Sequence, residues 1–184
     1  MFIILSAIKD EADRDKAERL ILKHEKLMYK IAWRILGDRK DAEDTVQDTI
    51  VRVIKNLHKI DESDMLRTRN FFSIICENTA KNIYNKRKEQ NENSYSYDEL
   101  DKKIESIGSN PLSIIITNES VDEIRESILE LRRIYRVVIE LRETYDCSSQ
   151  EISEILNIPV ETVKTRLKRA RNMLSEKLLK EDVK

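Results

Sequence analysis

Leu20, Leu27, Met28, Ile31, Ala32, Ile35 and Leu36 recur at steps of three and four, the spacing that places side chains on one face of a helix. This amphipathic helix ends at Gly37, which can adopt the left-handed conformation that closes a helix, and Gly37-Asp38 forms a turn. Asp41 opens a second helix with the stripe Ala42, Val46, Ile50, Val53 and Leu57. Residues 61–70 are polar and read as a loop or a short helix. A third helix over 71–88 sets Phe72, Ile75, Cys76, Thr79 and Ile83 on one side, and three antiparallel helices can close a core. A new stripe starts near Val121 with Ile124, Ile128, Leu131, Ile134, Val138 and Leu141. Two shorter helices follow: Ser148 or Ser149 caps residues 150–156, Asn157 sits at the turn, and Pro159 takes the first position of the last helix.

Between these two helical groups the periodicity fades. The stretch is rich in Asn, Ser, Asp and Lys and contains Gly108 and Pro111, so residues 91–120 are expected to be a flexible linker between units at 1–90 and 121–184. Composition agrees with an all-α reading: the chain has 184 residues, of which only two are glycine and two proline, too few for the turns of an all-β fold. The expected architecture is two small helical domains, the C-terminal one a helix-turn-helix.

A net charge of -1 conceals blocks of opposite sign. Residues 41–48 hold four acids and no base, residues 81–88 four bases and no acid, and residues 164–171 five bases and no acid. Such blocks are either solvated faces, or an acidic surface for a protein partner and basic surfaces for phosphate. Cys76 and Cys147 are isolated and form no CxxC pair, which points to reduced core thiols and a cytoplasmic protein. His24 and His58 lie far apart without companion ligands, so no metal, cofactor or catalytic centre is expected. Trp33, beside the first seam, reads as a packing residue of the core or its edge.

The final helix carries the sharpest pattern. Leu167, Ala170 and Leu174 lie within about 40° of Val163 when each residue advances 100°, so these four form a buried seam. The opposite face then holds Glu161, Thr165, Lys168, Arg169 and Asn172, with Lys164 and Arg171 on a flank and Arg166 nearer the seam. A helix held in the major groove reads bases with outward residues while flanking cations neutralise phosphates. Thr165, Lys168 and Glu161 are candidates for base edges, and Lys164, Arg169 and Arg171 for the DNA backbone. A solvated basic helix would show the same spacing.

Residues 134–178 also resemble the promoter-reading C-terminal region of extracytoplasmic-function (ECF) sigma factors, within the sigma-70 family. The resemblance rests on Tyr135-Arg136, on Ser149-Gln150-Glu151-Ile152-Ser153-Glu154-Ile155-Leu156, and above all on Ile158-Pro159-Val160-Glu161-Thr162-Val163-Lys164-Thr165-Arg166-Leu167-Lys168-Arg169-Ala170-Arg171. It adds Thr162 to the residues facing a minus-35 element. Response regulators have a related helix-turn-helix, but nothing like Ile35-Leu36-Gly37-Asp38 followed by Asp41-Ala42-Glu43-Asp44-Thr45-Val46-Gln47-Asp48, which is similar to the core-polymerase-binding segment of the family. With the Ala42 stripe buried, Asp44, Asp48 and Val51 point outward, flanked by Asp41 and Gln47. An exposed aliphatic residue among acids suits a basic protein helix better than DNA.

Glu77-Asn78-Thr79-Ala80-Lys81-Asn82 resembles the family's minus-10 region. The outward stripe expected on the third helix is Ile74, Asn78, Lys81, Asn85 and Lys88. The resemblance implies that Asn78 and Lys81 approach nucleotides of a melted strand, that Lys86, Arg87 and Lys88 follow its phosphates, and that the 61–70 loop supplies a pocket for an extruded base. It further implies core RNA polymerase, promoter DNA, duplex and melted, and a cognate anti-sigma factor as partners, and no catalysis by the chain itself. Nothing in the sequence resembles the additional regions of housekeeping sigma factors. Two other readings fit the basic faces alone: a dimeric repressor or activator acting without polymerase, and a helical adaptor whose charges keep it soluble.

Overall fold

Asp10 and Gly37 bracket the first helix. In the computed structural model, which describes residues 5–6, 8–90 and 127–181, with the side chains of 88–90 and 178–181 excepted, helix α1 spans Glu11–Leu36. The Asp10 carboxylate accepts the backbone N–H of Asp13, and Gly37 adopts φ 65°, its N–H donating to the Trp33 carbonyl. Helix α2, Arg39–Lys55, starts two residues before Asp41 because Asp38 is its cap and accepts the N–H of Asp41. A 3-10 turn, Leu57–Lys59, follows, and its end is tied to α1 by Lys16, whose Nζ donates to the carbonyls of Leu57 and Ile60.

Helix α3, Met65–Gln90, begins earlier than its periodicity predicted, so the expected 61–70 loop is only a short turn. Asp64 causes this: its carboxylate accepts the N–H of Arg67 and its carbonyl the N–H of Thr68, an N-terminal cap at the sequence's own signal. The three helices pack pairwise around Ile21, Met28, Ile35, Ile50, Phe71, Phe72 and Ile75.

His24 lies within this core, its ring 4.6 Å from Phe72, and its Nε2 finds no hydrogen-bond partner among the described residues. Burial, with smaller contributions from Lys23 and Arg69, lowers its pKa from 6.5 to about 4. The folded state therefore binds fewer protons than the unfolded chain between those values, so this stability is present above pH 6.5 and is lost as pH falls towards 4. The expected loss is on the order of 1–2 kcal/mol after discounting for partial hydration of the ring. Urea unfolding of the wild type and His24→Met across that range checks it: the wild type should weaken relative to the variant, and a constant difference would refute the assignment.

The second unit is built separately, and the chain divides into compact units at residues 111 and 112. The sequence stripe starting near Val121 is not one continuous helix. Residues 121–126 lie outside the described part, as does the whole 91–120 stretch read as a linker, and a helical turn at 127–130 breaks at Leu131 and Arg132 before α4, Arg133–Glu143, begins. The break lets Arg136 turn back and donate to the Leu129 carbonyl at 2.7 Å. Around α4 the buried Arg133, Arg136 and Glu140 share one cluster, where burial is the leading influence: it raises the pKa of Glu140 and lowers that of Arg133.

Helix α5, Ser149–Leu156, is closed at both ends. Ser148 and Glu151 form a reciprocal capping box, and Asn157 turns the chain at φ 53°. Helix α6, Val160–Glu181, starts one residue after Pro159, whose carbonyl accepts the N–H of Val163.

Candidate nucleic-acid and polymerase interfaces

Two short contacts orient α6. Arg142 at the end of α4 donates to Ser149 Oγ at the start of α5 at 2.7 Å, and Ser153 Oγ donates to the Ile158 carbonyl across the turn at 2.6 Å. Val163, Leu167 and Ala170 bury the inner face of α6, while Leu174, further along, is half-buried. With that face fixed, Glu161, Lys164, Thr165, Lys168, Arg169 and Arg171 are all exposed, as the spacing predicted. Thr162 is half-buried at the edge of the seam, and Arg166 is likewise half-buried.

Not all of these charges are equally available. Lys164 pairs with Glu161 at 2.6 Å, one turn apart, and Arg171 reaches Glu143 of α4 at 3.2 Å. Both pairs are exposed and solvent-screened, so each contributes little to stability and yields readily to a phosphate.

On α2 the burial of Ala42, Thr45, Val46, Thr49, Ile50 and Val53 leaves Glu43, Asp44, Gln47 and Asp48 exposed and Val51 half-exposed. Asp41 departs from the expectation. It is 8% exposed and pairs with Arg87 of α3 at 2.6 Å, because residue 41 lies in the first turn on the side facing α3, not on the outer face. Arg87, expected on DNA phosphates, is thereby engaged within the protein, and it also approaches Asp38 at 3.8 Å.

The outward stripe expected on α3 is only partly outward. Ile74 is buried, since residues 71–77 are enclosed on every side and the helix at that level is central to its unit. Asn78 is half-buried with its amide donating to the Ile74 carbonyl at 2.7 Å, Lys81 and Asn85 are half-exposed, and Lys86 is exposed. Lys88 lies outside the described side chains.

Periodicity alone did not reveal a groove of 650 Å³ between α1 and α2, lined by Tyr29, Trp33, Arg39, Glu43, Val46, Gln47 and Ile50 among others. Trp33 is 45% exposed and stacks on Tyr29 with ring centroids 6.2 Å apart. The signal was available: aromatics four residues apart on the rim of an amphipathic helix, beside the acidic helix, form an exposed apolar ledge.

Among the described residues no cluster of His, Cys, Asp or Glu suits a metal ion, and no described helix is long and apolar enough to cross a membrane.

One unit carries an acidic helix face and the other an exposed basic helix, and the family models match both units: sigma-70 region 2 over residues 20–90 and sigma-70 region 4 over residues 122–174. Over 177 residues the chain is 31% identical to the ECF RNA polymerase sigma factor SigW of Bacillus subtilis, covering 91% of each protein. It is 26% identical over 167 residues to the sigma factor SigV of the same organism, covering 89% of this chain and 91% of SigV. A solved complex of the sigma factor RpoE with the anti-sigma factor NepR from Bartonella quintana aligns over 88% of this chain and 95% of that one, at 18% identity and a TM-score of 0.36. The chain belongs to the ECF sigma factors, promoter-recognising proteins that direct transcription initiation.

Proposed function

We propose that core RNA polymerase docks on the outer face of α2 through Asp44, Gln47 and Asp48, with half-exposed Val51 at its end. The Tyr29–Trp33 groove alongside would seat an apolar side chain of the same basic partner helix. Acids beside an apolar ledge combine charge steering with a desolvated contact, the arrangement of a protein interface and not of a phosphate site.

On this reading the basic end of α3, with Asn78, Lys81, Asn85 and Lys86, meets the melted minus-10 strand. Helix α6 enters the major groove at the minus-35 element: Thr165 and Lys168 face base edges, with Glu161 and Thr162 at the leading turn, while Lys164, Arg169 and Arg171 neutralise phosphates. RNA synthesis is the polymerase's chemistry, and the chain acts in the cytoplasm as a non-catalytic specificity factor. A cognate anti-sigma factor is the further partner that family membership brings.

The observation that carries this reading is the exposure of Lys164, Lys168, Arg169 and Arg171 on α6 opposite a buried apolar seam. Its test is run-off transcription from a promoter library with core polymerase, with and without the purified chain. Transcripts should start at discrete promoters only when both are present. Tight sequence-specific binding of duplex DNA by the free chain, with no transcript, would favour an autonomous repressor and overturn the proposal.

A further inference from the structure

We infer that Arg87 is a positioning residue that braces the minus-10 helix against the start of the polymerase-docking helix, and is not a phosphate contact. The inference rests on the reading of α3 as the strand-binding helix.

Arg87 closes the end of α3 onto the first turn of α2, with its Nη2 2.6 Å from Asp41 Oδ1 and 3.8 Å from Asp38 Oδ1. Asp38 is itself the cap of α2, accepting the N–H of Asp41, so the guanidinium grips the capped first turn of that helix. The two partners differ in their access to water. Asp41 is buried, and its Oδ2 receives no hydrogen bond among the described residues, whereas half of the Arg87 side chain is exposed.

A phosphate that drew Arg87 away would leave Asp41 as a buried anion without its counter-charge, an exchange that disfavours the DNA contact. The neighbouring Lys86 is exposed and faces no such penalty. What Arg87 does instead is hold two functional faces at a set offset. The polymerase seats α2, and the melted strand must then meet α3 where the brace puts it; an α3 end free to swing would spend part of its time out of reach.

The test uses holoenzyme and a fluorescein-labelled non-template strand from a promoter that yields run-off transcript, titrated at several salt concentrations. Asp41→Asn and Arg87→Gln should each weaken strand binding by roughly 5- to 50-fold, the range of a coupling between two sites. The double variant should be within about twofold of the weaker single one, since both remove one contact. In all three, the slope of log affinity against log salt should stay at the wild-type value and polymerase affinity should change by less than about twofold, while Lys86→Ala should reduce the slope by roughly 0.7.

A phosphate role for Arg87 makes opposite predictions: Arg87→Gln lowers the salt slope, and Asp41→Asn leaves strand binding unchanged or tighter by releasing the arginine. Either result overturns the brace, as does a loss of polymerase affinity in Asp41→Asn, which would make Asp41 a docking residue. Lys86→Ala with an unchanged slope would instead bring down the strand-binding reading of α3. Thermal unfolding of each variant guards against misfolding. Should Asp41→Asn not fold, Arg87→Gln and Arg87→Lys decide: an unchanged slope in both, with binding restored by lysine, supports the brace, and a reduced slope in Arg87→Gln refutes it.

Discussion

Replacing Asp44 and Asp48 together with lysine should weaken binding to core polymerase by at least roughly 100-fold while leaving the fold intact. Both carboxylates are exposed on the outer face of α2, away from the Ala42, Val46 and Ile50 seam. Reversal therefore alters no packing, and the lysines cost only a few tenths of a kcal/mol through the helix dipole and the repulsion of Arg52 one turn on from residue 48. Against a basic partner helix the same reversal converts attraction into like-charge contact, which costs several kcal/mol. Co-elution with core polymerase, beside thermal unfolding of the free variant, measures both effects. An affinity unchanged in a folded variant would remove α2 as the docking face. Asp41 offers the contrast: a lysine there would set a buried cation against Arg87 and should lower the melting temperature of the chain, so the charge reversal, unlike the neutral Asp41→Asn, is no test of docking.

In the second unit, Lys168→Ala and Arg169→Ala should separate reading from anchoring. Lys168 lies on the outward face of α6 as a base-edge candidate, and its loss should cost about 1–3 kcal/mol on a matched minus-35 element and relax discrimination at one position. Arg169→Ala should instead weaken all promoters alike and reduce the salt slope by about 0.9, the contribution of one duplex phosphate. Holoenzyme binding to a library of minus-35 variants at several salt concentrations measures both quantities. If Lys168→Ala lowered the slope and left the sequence preference intact, its assignment to a base edge would fail.

Helix α6 was legible because its signals are local. Val163, Leu167 and Ala170 state the seam, and everything outward follows from a 100° step. Helix ends were equally readable where a cap was in place, as at Gly37 and Ser148, and misplaced where the cap was overlooked, as at Asp64. Helix α4 misled for another reason: the stripe of Ile128, Leu131, Ile134 and Leu141 passes through a break at 131 and 132 that contains neither glycine nor proline.

Residues whose roles depend on a distant partner stayed hidden. Nothing within a few residues of Asp41 says that it faces Arg87, so it read as one more acid in an acidic block. Ile74 falls outward on a helix with a single buried face, whereas α3 is enclosed at that level. The ledge of Tyr29 and Trp33 was missed because an aromatic beside an apolar seam is usually counted with the seam. For α6, and for α2 apart from Asp41, then, the outward side chains were readable from single-helix periodicity; for α3 they required the packing of all three helices.

Trp33 also gives the chain a built-in reporter. It is the single tryptophan in the sequence, and its ring is partly bathed in solvent on the rim of the α1–α2 groove. Indole emission therefore comes from that rim alone, so a blue shift or loss of quenching by iodide would register occupation of the groove without any label, on the millisecond scale of a stopped-flow mixing experiment.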